Sequence, residues 1–487
     1  MAEVWAKSEP KITLRQHTED CLHVFRSVRK LFPHIPHICN QPKFFEYLFY
    51  ALFLHDFGKT ATGFQKALFA QNREGRKWYR HEILSSGYIH CLETLNDDEK
   101  RAIAMAVITH HKHVKILEEK YDTSLDRDNW LNKVQELNEN FSYNQEFLAD
   151  LPKYSKEFLG YELPLPKIPN STDDIADGYE FAVDWFLDGK TYLHSTFGIM
   201  LRGLTIACDH LASSGYEEIQ VGLSKNYIEQ VILFTRCLDI SHSSPTRKLI
   251  EEFDFGKPNL RDSFSEILLY DFQNKMREFV GNAFLSAPTG SGKTEASLLW
   301  AGTNQEIGKR IFYVLPFTAS INAMWKRLSS QFGDEKVGVL HGKAHYFIYQ
   351  TIQEREYEDY DKAVKEAKAI QGLNKKIYRP IKILTPFQIL KTFFGVKGWE
   401  MMMAELAGGL FIFDEIHVYD AHTTALILKS IEKLSQIEAK FLFLSATFPK
   451  FLKDKIRQVL PNIVEVDLDE NSKDAELINK ADRKSVV

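Results

Sequence analysis

The stretch A-F-L-S-A-P-T-G-S-G-K-T-E-A, residues Ala283–Ala296, reads as a strand, a glycine-bearing turn and the opening of a helix. Small residues in such a turn let backbone N–H groups wrap phosphate oxygens, and the helix that starts at Lys293 turns the positive end of its dipole toward them. Thr289, Gly290, Ser291 and Gly292 form the predicted cradle, Lys293 reaches the outer phosphates, and Thr294 offers a hydroxyl to magnesium. The strict phosphate-loop pattern opens on glycine where Ala287 stands here; the strand-turn-helix setting carries the reading. ATP with magnesium is the expected ligand.

Downstream, short apolar runs alternate with helical patterns: Arg310–Leu315, Val337–Leu340, Ile381–Leu384, Leu410–Phe413 and Phe441–Leu444. Continuous apolar strands separated by helices predict a mainly parallel sheet covered on both faces. The run Leu410–Phe413 delivers Asp414 and Glu415 to the carboxyl edge of that sheet. In nucleotide hydrolases one such carboxylate holds magnesium and its neighbour orients the attacking water, and we expect Asp414 and Glu415 in those roles.

Upstream the period changes. Leu14, Cys21, Leu22, Phe25, Val28 and Phe32 recur mostly at helical steps, and further helices are predicted at Lys43–His55, Glu82–Leu95, Lys100–His111 and Thr196–Ser213. The half up to about Gly215 therefore reads as all-α. The polar, charge-mixed segment Lys115–Pro169 reads as a solvated helical insertion. A Gly, Pro, Asn and Asp-rich stretch near Gly256–Asp262 marks the switch of period, and no internal repeat is present. The expected organisation is an all-α domain at 1–220, a helical linker at 221–260, an α/β phosphate-loop domain at 261–470 and a tail at 471–487.

The composition, 44% hydrophobic and 26% charged, excludes a disordered or fibrous chain, and 487 residues are too many for one core. A net charge of -5 excludes a globally basic coat protein, so any nucleic-acid contact must be a local groove. Cys21, Cys39, Cys91, Cys208 and Cys237 contain no C-x-x-C pair, which argues for reduced thiols, no zinc ribbon and a cytoplasmic location. The most apolar stretch, Phe44–Leu54, carries Glu46 and is too short to span a bilayer, so no membrane segment is expected.

That apolar stretch ends in His55 and Asp56, two polar groups that need partners if they are buried. Other polar residues sit as oddly on apolar helix faces: His17, His81, His110, His111 and Asp209. Any one is ordinary; together in one helical domain they suit transition metals, and Asp56 is the candidate carboxylate to bridge two ions flanking a phosphate. From residue chemistry alone the reading is a metal phosphohydrolase joined to a phosphate-loop NTPase.

A-P-T-G-S-G-K-T, D-E-I-H and the S-A-T of Ser445–Thr447 occur in the order seen in superfamily 2 helicases. By that resemblance Gln273 corresponds to the adenine-reading glutamine, and Thr318 and Thr385 to residues near DNA phosphates. The order H, H-D, H, H-H, D resembles the HD phosphohydrolases. With L-H-D-F-G-K-T-A-T-G-F-Q, R-H-E-I-L-S-S and C-D-H-L-A-S-S, the chain resembles the CRISPR-associated HD nuclease-helicases of type I systems.

The resemblance implies two divalent ions, manganese, iron, cobalt or nickel, one on His17, His55, Asp56 and Asp209, the other on Asp56, His81, His110 and His111. It places Lys59 and Ser213 near the scissile phosphate. It implies endo- and exonucleolytic cutting of single-stranded DNA, an ATP-dependent helicase, and a guide-RNA surveillance complex (Cascade) as partner. His34, His37, His90, His113 and His210 match no ligand position, and His341 belongs to the helicase half. The resemblance makes 261–470 a first RecA-like helicase lobe; such helicases complete the ATP site with a second lobe, so the sequence to Val487 is expected to hydrolyse ATP poorly without it. A small-nucleotide phosphohydrolase regulated by its NTPase half, or a docking module with neither activity, remain alternatives.

Overall fold

Capping chemistry sets where the N-terminal helices begin. Thr13 accepts from Gln16 N at the head of α1 (Leu14–Leu31), after a short hairpin of β1 (Trp5–Ser8) and β2 (Lys11–Thr13). An Asn96–Glu99 capping box opens the helix Asp97–Thr109, and Ser195 accepts from Gly198 N to open Thr196–Ala212. Each cap of this kind contributes about 0.5–2 kcal/mol to its helix.

The computed structural model describes residues 3–70, 81–111, 132–178, 195–216, 218–240, 269–306, 308–355 and 360–478. The expected boundary at Gly256–Asp262, His113 and part of the predicted insertion and tail lie outside them. The chain divides into two compact units: Met1–Ile219 with Lys397–Ala404, and Gln220–Val396 with Glu405–Val487.

In the first unit α1 packs on α2 (Phe44–Leu54), and both pack on α5 (Thr196–Ala212), while α4 (Asp97–Thr109) contacts α2, α5 and the short α3 (His81–Ser86). Nine of the eleven residues of α2 are buried, so this helix is apolar nearly all round because it is the core. The helix predicted at Glu82–Leu95 is α-helical only to Ser86 and continues as a 3-10 turn, Gly87–Cys91. The change falls at Gly87, whose missing side chain admits the Ile175 backbone: a Cβ there would lie 2.4 Å from Ile175 O.

The second unit contains a seven-stranded sheet, β5-β6-β4-β7-β8-β3-β9, with β3 (Ala283–Ser286), β4 (Ile311–Val314), β5 (Val337–Leu340), β6 (Ile381–Leu384), β7 (Leu410–Asp414), β8 (Lys440–Ser445) and β9 (Val464–Asp467). Every pairing in it is parallel. The helical half and the α/β half expected from the period are therefore present, the helical half carrying one short hairpin in addition. β9 escaped the sequence reading because it is an edge strand with only Val466 buried, so it lacks the continuous apolar run of its neighbours. The β1–β2 hairpin escaped it because its strands have four and three residues. Among the described residues no helix is long and apolar enough to cross a membrane.

Candidate metal and nucleotide sites

Helix ends aim the imidazoles of the first unit. Leu52 and Val107 lie in the last turns of α2 and α4, where backbone carbonyls lack intrahelical partners. His55 Nδ1 lies 2.7 Å from Leu52 O, and His110 Nδ1 lies 2.6 Å from Val107 O. A carbonyl only accepts, so each Nδ1 carries the proton and each Nε2 presents a lone pair. Both Nε2 atoms are buried with no hydrogen-bond partner.

Asp56 stands where these rings converge, at the head of the 3-10 turn Phe57–Thr60. Its Oδ2 is 3.3 Å from His17 Nε2, 3.4 Å from His55 Nε2 and 2.6 Å from Lys59 Nζ, while its Oδ1 is 3.0 Å from His81 Nε2. Asp209, on α5, places Oδ1 3.2 Å from His17 Nε2 and accepts from Ser213 Oγ at 3.1 Å. The donor atoms fall into two groups, each within 4.8 Å: His17, Cys21, His55 and Asp209; and Asp56, His81, His110 and His111. All are buried except His111. His34, His37, His90 and His210 lie outside both groups, and His341, in the second unit, sits 2.9 Å from Asn322 Oδ1.

Burial alone would raise the Asp56 carboxyl, but His55, Lys59 and His81 outweigh it and hold the group well below the usual carboxylate range. His17, His111 and His55 do the same for Asp209. Burial, then His111 and His55, pushes His110 well below the ordinary imidazole range, so its ring is neutral. Ionised carboxylates beside the unused Nε2 lone pairs of His55 and His110 are the donor set of a first-row divalent ion. Each orphaned buried acceptor otherwise costs about 1–3 kcal/mol. The residues fit a metal pair.

Two groups near this pocket were not singled out as site residues from sequence. Cys21 lies one turn after His17 on α1, its Sγ 3.9 Å from His17 Nε2, and burial raises its thiol well above the usual range. The four-residue spacing from His17 was the available signal. Lys7, on β1, has a buried Nζ with no hydrogen-bond partner, and Asp209 and Asp56 oppose the lowering that burial imposes on it. Gln65 ties β1 to the Lys59 turn, with Nε2 donating to Trp5 O at 2.9 Å and Lys59 O at 2.7 Å.

Gly58 lets the Asp56 turn lie against α3. Its N–H donates to Ser85 Oγ at 2.9 Å, and Ser85 Oγ donates to His81 O at 2.8 Å. A Cβ at Gly58 would sit 2.1 Å from His81 O. Gly58→Ala is therefore expected to destabilise the fold by about 1–3 kcal/mol, as other overpacked sites do. Thermal unfolding checks it, and an unchanged midpoint would contradict the close packing of this turn on α3.

In the second unit Gly290 (φ +78°) and Gly292 (φ +95°) take left-handed conformations that suit glycine, just before the helix α6 (Lys293–Asn304). Lys293 Nζ donates to Ala287 O at 2.7 Å and Pro288 O at 3.1 Å. Gln273 is buried against the same loop: Nε2 donates to Gly292 O at 3.0 Å and Oε1 accepts from Tyr270 N at 3.0 Å. Thr294 Oγ1 accepts from Arg327 Nη1 at 3.3 Å, Thr289 is exposed and Ser291 is buried. Asp414 ends β7, and burial with Glu415 pushes its carboxyl up to about 6, against Lys293. Glu415 itself holds φ +56°, which in a non-glycine residue stores roughly 1–3 kcal/mol of strain. His417 links the two carboxyl-edge motifs, 3.3 Å from Glu415 Oε2 and 3.2 Å from Ser445 Oγ. Thr318 opens the helix Thr318–Phe332 after β4, and Thr385 precedes the helix Pro386–Phe393 after β6.

A helical histidine and aspartate pocket and a phosphate-loop sheet in one chain define an HD-domain protein with a helicase domain. Residues 271–455 match the DEAD/DEAH box helicase family, and residues 5–216 match the HD domain of Cas3. The chain thus carries a Cas3-type HD domain followed by a DEAD/DEAH box helicase domain, and it is similar to CRISPR-associated nuclease/helicases named Cas3. It is 25% identical over 470 residues to the CRISPR-associated nuclease/helicase Cas3 of Methanothermobacter thermautotrophicus, covering 84% of this chain and 49% of the relative. It is also 25% identical over 423 residues to a protein of Methanocaldococcus jannaschii assigned provisionally to the same family, covering 83% and 54%. The chain thus spans about half the length of the curated relatives it matches. A crystal structure of a CRISPR-associated protein superposes with a TM-score of 0.51 at 18% identity, over 94% of this chain and 53% of the other, and shows the same fold.

Proposed function

We propose that the first unit is a metal-dependent nuclease acting on single-stranded DNA, joined to an ATP-dependent DNA translocase that works with a guide-RNA surveillance complex in type I CRISPR interference. The observation that carries the nuclease reading is Asp56, whose two carboxylate oxygens face different groups of donors. His17, His55, Asp56 and Asp209 would hold one divalent ion, and Asp56, His81, His110 and His111 the other; manganese, iron, cobalt and nickel all suit this set. A bound pair of such ions lowers the pKa of water and stabilises the attacking and leaving oxygens of an in-line displacement.

The chain's own residues do the rest. Leu52 O and Val107 O keep the His55 and His110 lone pairs aimed into the pocket. Ser213 donates to Asp209 and fixes its carboxylate. Lys59, with Lys7 beside it, supplies positive charge for a scissile phosphate. In the second unit Lys293 and the loop 289–292 would hold ATP phosphates, Thr294 and Asp414 magnesium, and Glu415 the attacking water. Gln273, already bonded to Gly292 O, would carry adenine contact to that loop.

Circular single-stranded DNA tests this reading, since it has no ends and every cut must be internal. Nicking is expected to need an added transition metal, to stop with chelator and to return when the metal is restored. Metal-dependent turnover of free nucleotides with the circle left intact would favour the small-nucleotide phosphohydrolase, and no metal-dependent turnover of either would reject both.

A further inference from the structure

The corner that presents His110 and His111 is held by a residue from another helix. Arg202, on α5, is buried, and its Nε donates to Thr109 Oγ1 at 2.8 Å and Thr109 O at 3.2 Å, while Nη2 donates to Thr109 O at 2.7 Å. Thr109 is the last residue of α4, immediately before His110. Its carbonyl belongs to the orphaned set at a helix C-terminus, and a cation there meets the negative end of the helix dipole. The remaining nitrogen, Nη1, pairs with Glu400, a carboxylate as buried as the guanidinium.

Glu400 lies in Lys397–Ala404, a distant part of the sequence that belongs to the first unit. The neighbouring residue on α5 is shaped for the same segment: a Cβ on Gly203 would lie 2.3 Å from Glu400 O. Arg202 thus reaches the carboxylate while Gly203 admits the backbone that carries it.

We propose that Arg202 and Glu400 are a positioning pair that keeps His110 and His111 in ligand geometry, so that the pocket is completed only when Lys397–Ala404 is docked. This rests on the metal reading above. Without Glu400 the Arg202 charge is buried and uncompensated, and its fork is no longer oriented on Thr109. Groups that orient metal ligands typically change affinity 10–100-fold when removed.

The test uses the full chain and cobalt(II), followed by equilibrium dialysis and by visible d–d absorption. The parent is expected to bind two ions. Glu400→Gln is expected to weaken the ion held by Asp56, His81, His110 and His111 about 10–100-fold and alter its spectrum, leaving the other ion unchanged. Arg202→Lys, which keeps the charge, is expected to recover part of the affinity that Arg202→Met loses. If Glu400→Gln does not fold, the double variant Arg202→Met with Glu400→Met replaces the pair by apolar side chains, and the same selective loss is expected. A parent that binds no cobalt refutes the metal reading itself. A parent that binds two ions, with variants that bind both unchanged or lose both equally, overturns the positioning role alone.

Discussion

Asp56→Ala is expected to reduce cutting of single-stranded DNA by on the order of 10³ or more and to remove bound metal, with the helical fold retained. The size follows from the position of the carboxylate. Both its oxygens face imidazoles, Oδ2 toward His17 and His55 and Oδ1 toward His81, so its loss deprives both donor groups at once. Metal stabilisation of transition-state charge is worth several kcal/mol, and each 1.36 kcal/mol is about tenfold in rate. Asp56→Asn separates shape from charge, because it keeps the volume and loses the anion that Lys59 contacts at 2.6 Å. Nicking of circular DNA, elemental analysis and far-ultraviolet circular dichroism check the three parts. A folded variant that cuts at the parental rate would remove Asp56 from the site.

Lys293→Ala is expected to weaken ATP binding about 10–150-fold, the range that corresponds to losing a charge-assisted contact of 1.5–3 kcal/mol. In the free protein Lys293 spends its ammonium on Ala287 O and Pro288 O, carbonyls of the very loop that would release it to a phosphate. Calorimetry with a non-hydrolysable ATP analogue measures the loss. Metal-dependent nicking by the same variant is expected to be unchanged. Equal ATP affinity in the variant would contradict the assigned role of Lys293, and a parallel loss of nicking would show that the nuclease depends on nucleotide.

Much of this was legible in local sequence because local physics produced it. Gly290 and Gly292 were readable since their left-handed backbone admits few other residues. The strands of the sheet interior were readable as continuous apolar runs, whereas β9, with one buried residue, was not. The odd pairing of an apolar helix with His55 and Asp56 pointed to a buried polar centre because two such groups rarely end a core helix without partners. Lys7 and Cys21 were missed for the opposite reason: a lysine on a four-residue strand and a cysteine on an amphipathic helix look like surface and core until their neighbours are known.

The sequence by itself determined the period of each half, the phosphate loop, the acidic pair after β7 and the identity of the histidines and aspartates worth watching. Each of these is written in residues a few positions apart. Only the tertiary structure decided that Asp56 turns one oxygen to His17 and His55 and the other to His81, that Gln273 is bound to Gly292 O, and that Arg202 grips Thr109 with Glu400 behind it. Those relations join residues far apart in the chain, and they depend on which helix faces are buried against one another, a property of the packed core that no single stretch of sequence contains.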